Sequence, residues 1–194
     1  MRTMLIAVLL LCASQLTQAA TIHFNAGGSS QLTLSPSFYM DNTEASGLTN
    51  SGYASVSSAT GGPYIAYNGN AAPLTTFDWN SPGTFDLNSF VIAGAWGSQT
   101  LTISGYSGAV LTNTAQLFVD TAASVFQANW LGLTSFSIAT GNDFLRASNV
   151  IGNGQHWALN AISVNEVPLP AAAWMFLAGI AGVIGIRRKA ARKA

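Results

Sequence analysis

Two kinds of hydrophobic pattern divide this chain. Near each end lies a short apolar run without charge, residues 4–12 and 171–186. Between those runs, apolar and polar positions alternate in short windows. In Gln99-Thr100-Leu101-Thr102-Ile103-Ser104 the aliphatic side chains fall on one side and the polar ones on the other, as in a half-buried strand. Similar windows predict strands at 22–24, 31–34, 64–67, 74–79, 88–96, 99–106, 110–119, 123–126, 135–139 and 156–165. Turn-forming residues separate them: Gly61-Gly62-Pro63, Asn68-Gly69-Asn70, Ser81-Pro82-Gly83, Gly97-Ser98, Gly105 to Gly108, Gly141-Asn142 and Gly152-Asn153-Gly154. Short strands at this spacing predict an all-β fold, an antiparallel β-sandwich spanning 21–166. The stretch 40–60 is weakly patterned and reads as a long loop.

The terminal runs carry different instructions. Arg2 precedes the first, and the small residues Thr17-Gln18-Ala19-Ala20 follow it. Residues 1–20 therefore read as a secretory signal peptide, cut by signal peptidase after Ala19 or Ala20. Cys12 leaves with that peptide, because the large Leu11 before it does not suit a lipidation site. The mature chain then has no cysteine, hence no disulfide and no thiolate chemistry.

The second run has 16 residues, short for a bilayer core that needs about 20. It reads as a marginal transmembrane helix at 171–186, with Trp174 at headgroup level near one end. Arg187, Arg188 and Lys189 follow the other end, with Arg192 and Lys193 beyond them. Such a cluster stays in the cytoplasm, so the body lies outside. Gly179, Gly182 and Gly185 share one helix face and permit close approach by a second helix. Pro168 and Pro170 bar the helix from extending backward and hold the preceding residues extended.

Taken in order, Val167-Pro168-Leu169-Pro170, the Ala-rich start with Trp174, the Gly-rich helix and the Arg187-Arg188-Lys189 end resemble a PEP-CTERM sorting signal. Leu169 stands where that signal usually has Glu. The resemblance implies an exported protein, tethered to the membrane during export. It also implies processing near 167–170 by an exosortase-type membrane transpeptidase, often in strains that make exopolysaccharide. A second resemblance rests on 85–111, 130–140 and 156–167, which are similar to the bodies of many such proteins. Those are jelly-roll-like and similar to carbohydrate-binding modules. In relatives an Asp-Asn pair precedes the final hydrophobic of the last strand; Leu159-Asn160 stands here. A structural cation that such an acid helps to hold would lose a ligand in this chain.

Charge changes the picture in one respect. The formal net charge of zero hides an asymmetry. Residues 21–166 hold seven acids (Asp41, Glu44, Asp78, Asp86, Asp120, Asp143, Glu166) and one base, Arg146, a net of −6. That argues against nucleic acid as a partner. Candidate chemistry is sparse. His23 and His156 are the two histidines, and no HExxH, Gly-x-Ser-x-Gly or phosphate-binding glycine loop occurs. No catalytic residue and no metal ligand is assigned. The oxygens of Asp41-Asn42-Thr43-Glu44 suit a structural Ca2+, but the stretch lacks an EF-hand's length and glycine. The acids at strand ends read as turn caps. Aromatics are better candidates: Trp79, set between Asp78 and Asn80 near a turn, is expected to be the exposed ring. The leading expectation is a structural or adhesive cell-surface protein linked to exopolysaccharide. The alternatives are a carbohydrate-binding module using Trp79 and a surface glycan hydrolase using two of the carboxylates.

Overall fold

The structure, a computed structural model, describes residues 19–24, 28–31 and 38–167. Residues 1–18 of the signal peptide, the sorting residues Pro168, Leu169 and Pro170, the expected membrane helix with Trp174, and Arg187, Arg188 and Lys189 lie outside the described residues. Residues 18–167 form one compact unit. No helix among the described residues is long and apolar enough to cross a membrane.

The unit is an antiparallel β-sandwich, with twelve strands among the described residues. They are β1 (Ala19–Ile22), β2 (Gly28–Gln31), β3 (Phe38–Ser46), β4 (Ile65–Asn68), β5 (Leu74–Trp79), β6 (Thr84–Gly94), β7 (Gly97–Ser107), β8 (Val110–Val119), β9 (Ser124–Leu133), β10 (Ser135–Thr140), β11 (Leu145–Arg146) and β12 (Trp157–Val167). One layer runs β8-β7-β10-β5 and the first half of β3; β11 pairs with the start of β7 (Leu145↔Ser98) and β2 pairs with β3 (Gln31↔Tyr39). The other begins with the second half of β3 and runs through β4 and β12 to β6 and β9. β3 thus turns the corner: Phe38 to Asp41 pair with β5, and Thr43 to Ser46 pair with β4. β1 pairs with β12 from Ala19↔Asn165 to Ile22↔Ile162. Signal cleavage after Ala19 or Ala20 would trim the first one or two positions of that strand.

Inward side chains of both layers meet in one core. Phe77, Leu101, Ile103, Phe136 and Ile138 come from the first layer, and Phe85, Leu87, Phe90, Ile92, Leu159 and Val164 from the second. Rings lock the layers together. Phe136 stacks on Phe77 at 4.4 Å and on Phe90 at 5.9 Å, and Phe38 meets Phe85 edge-on at 5.0 Å. The alternation seen at 99–104 is retained: Gln99, Leu101 and Ile103 are buried, while Thr100, Thr102 and Ser104 point outward.

The stretch expected as a loop is instead ordered at both ends. It contains most of β3 and a helix, α1 (Ser51–Thr60). Serine, glycine and threonine are weak helix formers, so intrinsic propensity does not make this helix. Packing does. Tyr53 and Val56, three residues apart and so on one face, bury against Ile65, Ala93, Ala95 and Ala158 on the outer face of the second layer. The Gly52 amide donates to the Ala95 carbonyl at 3.1 Å, and the Ala123 amide donates to Ser55 Oγ at 2.7 Å. A side chain at Gly52 would run into the Gly94 carbonyl. Gly61, at φ 68°, closes the helix by donating to the Ser57 carbonyl at 2.8 Å.

Candidate functional site

The first layer presents its outer face without a covering helix among the described residues, since α1 packs on the second. Strand register places the side chains of that face in rows. Tyr39 on β3 lies opposite Asp78 on β5, Asp78 opposite Ser135 on β10, Ser135 opposite Tyr106 on β7, and Tyr106 opposite Leu111 on β8. In the neighbouring row Asp41 on β3 is registered opposite Thr76, and the row continues through Ser137, Ser104 and Thr114. The next holds Leu74, Ala139, Thr102 and Gln116.

The first of these rows has relief. Tyr39 is 59% exposed and Asp78 is exposed, whereas the short Ser135 is only 8% exposed. At about 4.8 Å between strands, Asp78 and Tyr106 flank Ser135 about 10 Å apart, and Tyr39 stands about 14 Å from Tyr106. Two phenol rings thus bracket a carboxylate and a serine. A ring offers a flat apolar surface with a polar tip, and the groups between offer hydrogen bonds. That combination suits a ligand that has both C–H faces and hydroxyls. No Lys or Arg occurs on β3, β5, β7, β8 or β10.

A second cluster of polar aromatics lies beside α1. The Tyr67 phenol donates to Glu44 Oε2. Tyr53 packs edge-on against Tyr67 at 5.7 Å and tilts against Trp96 at 5.2 Å, and His156 meets Tyr67 at 5.9 Å. Burial, then the bond to Glu44 and its charge, push the Tyr67 phenol up to about 12. Burial, reinforced by Tyr67 and Glu44, also raises Tyr53. His156 Nδ1 lies 2.9 Å from the Asn68 carbonyl, where a ring N–H donates. The Asn68 side chain accepts from the Trp157 amide and donates to the Ala72 and Gln155 carbonyls. These groups bind one another and seat the helix. Their chemistry is spent on the fold.

Trp79 does not stand where the sequence suggested. It is 9% exposed, stacked on Phe85 at 5.0 Å and edge-on to Phe38 at 5.1 Å. Period-2 alternation explains the correction: with Phe77 inside and Asp78 outside, Trp79 must return to the core. Trp157 is also core, while Trp96 and Trp130 are half-buried. The exposed ring in this neighbourhood is Tyr39, in a segment adjoining the expected loop. Tyr106 lay within an expected strand, yet only register shows which row it joins.

Three of the carboxylates act as caps. Asp143 accepts from the Thr100 amide and hydroxyl, and these bonds hold its carboxyl below the usual range. Asp86 accepts from the Gly132 amide at 2.8 Å and Asp120 from the Ala122 amide at 2.8 Å. Asp41-Asn42-Thr43-Glu44 belongs to a strand and not to a loop. Asn160 is fully engaged as well. Its oxygen accepts from the Phe24 and Ala161 amides, and its nitrogen donates to Thr60 Oγ1 and the Tyr64 carbonyl. Among the described residues no three His, Cys, Asp or Glu side chains gather closely enough to hold a metal ion.

No protein-family model matches the chain, and no curated protein matches it. Solved structures show distant likenesses. A DUF4465 family protein from Bacteroides ovatus is 8% identical, with 77% of this chain and 99% of that one covered, at a TM-score of 0.49. The agarase AgWH50C is 10% identical at a TM-score of 0.42, and only 25% of its length is covered against 76% of this chain. A carbohydrate-binding module of Cellvibrio mixtus lichenase 5A, in complex with cellotriose, is 19% identical over 76% of this chain and 97% of that one, at a TM-score of 0.37. With TM-scores below 0.5, these likenesses carry no argument about what this chain binds.

Proposed function

We propose that this chain is an exported protein that binds carbohydrate through the outer face of its first layer. The observation that supports this reading is the row Tyr39, Asp78, Ser135, Tyr106, which combines one exposed and one half-buried ring with hydrogen-bonding groups on a face that α1 leaves open. A glycan array probed with the full chain in mild detergent tests it. Binding is expected, and Tyr39→Ala and Tyr106→Ala each weaken it while the thermal midpoint holds. Binding that both variants retain contradicts the assignment of the face. Turnover of a bound glycan, lost on replacing one carboxylate, would instead favour the hydrolase.

The same proposal covers delivery. Signal peptidase removes 1–20, and an exosortase-type transpeptidase reads Val167, Pro168, Leu169 and Pro170 while Trp174, Arg187, Arg188 and Lys189 hold the tail in the inner membrane. The jelly-roll-like body then resides at the cell surface, where exopolysaccharide supplies the ligand and the role is adhesive. Intact mass of the protein from its own host is expected to end near 167–170. A mass that includes residues 187–194 would make the tail a plain anchor.

A further inference from the structure

We infer that the ligand of this face is an uncharged polysaccharide, held by stacking on Tyr39 and Tyr106 and by hydrogen bonds at Asp78 and Ser135. The inference rests on the carbohydrate reading above and adds the class of glycan.

Charge carries it. The five strands of the face bring no cation to it. The body's one base, Arg146, lies on β11 opposite Gly97 at the start of β7, and donates to the Val150 and Gly152 carbonyls. A polymer of uronates or sulfates would therefore meet the Asp78 carboxylate with nothing to pair its own charges, on a body of net −6. Uncharged hydroxyls suffer no such penalty. Thr76, Ser104 and Thr114 and the adjoining Thr102 and Gln116 all both donate and accept, as sugar hydroxyls do. The same charge disfavours a second copy of the chain, which would bring a further −6 to the contact. The Asp78 carboxylate serves as an acceptor for a sugar hydroxyl and as the group that turns anionic chains away.

Affinity electrophoresis of the full chain in mild detergent tests this. The gels contain hydroxyethylcellulose, galactomannan, xylan or β-glucan as neutral probes, carboxymethylcellulose or alginate as anionic ones, and glycol chitosan as a cationic one. Retardation is expected in at least one neutral gel and in neither anionic gel, and it persists at about 0.5 M salt, where exposed charges are screened. Tyr39→Ala and Tyr106→Ala each weaken it about tenfold, a loss of about 1.4 kcal/mol, while Tyr39→Phe keeps the ring and retains it. Asp78→Asn is expected to admit carboxymethylcellulose. Salt-sensitive retardation confined to the anionic gels or to glycol chitosan overturns the uncharged class and leaves the carbohydrate reading standing. No retardation in any gel, or retardation unchanged in both alanine variants, overturns both.

Discussion

The sandwich has two outer faces, and their side chains give them opposite roles. On the second layer, Ile65, Val91, Ala93 and Ala158 turn outward at one end, and α1 covers them with Tyr53 and Val56. On the first layer the corresponding positions are Thr76, Thr102, Ser104 and Ser137, and the row beside them carries Tyr39 and Tyr106. The difference is visible in strand sequence. The end of β6 reads Phe90-Val91-Ile92-Ala93, an unbroken apolar run, as expected for a strand buried on both sides. β7 alternates strictly, as expected for a strand with one wet side. A covered face is bound for stability, and an open one is free for a ligand.

The largest effect should fall on the covered face. Tyr53→Ala removes the ring that seats α1 and is expected to cost about 3–5 kcal/mol in urea unfolding. A cost near zero would mean the helix contributes nothing to the second layer. Next, Asn160→Ala strands the buried amide of Phe24 and frees Thr60 at the helix end. A loss of about 1–3 kcal/mol is expected.

Third comes pH. Tyr67 titrates at about 12 in the folded chain, above its ordinary value of about 10 in the unfolded one. The neutral phenol is therefore favoured by folding. Its stabilisation is fully present below pH about 10 and is lost as pH rises through about 12. Urea midpoints at pH 9 and 11 should differ, and Tyr67→Phe should reduce that difference. An equal fall in the variant would place the effect elsewhere.

The smallest stability effect belongs to the open face. Tyr39→Ala is expected to change stability by no more than about 0.5 kcal/mol while weakening glycan binding. A large thermal shift would make Tyr39 a structural residue and dissolve the contrast between the faces.

Much of this architecture was legible before the structure. The windows 74–79 and 110–119 coincide with β5 and β8, because alternation and flanking turns both mark them. α1 was not legible, because its ten residues hold just two large apolar anchors, and only the partner surface makes them count. β3 was not legible because a strand that serves both layers changes its buried neighbours midway, so its polar Asp41-Asn42-Thr43-Glu44 centre mimics a loop. The site suffered similarly. Trp79 drew notice for its polar neighbours, although the period of β5 places it beside Phe77 in the core. Tyr39, Asp78 and Tyr106 lie far apart in sequence, and pairing of β3, β5, β10 and β7 alone brings them into one row.

Hydroxyl-radical footprinting, read residue by residue by mass spectrometry, tests the central claim most directly. With a neutral polysaccharide that the chain retains, Tyr39 and Tyr106 should be protected while the exposed Leu131 and Ile151 react unchanged. Protection of Leu131 or Ile151 with Tyr39 and Tyr106 still reactive would contradict the account.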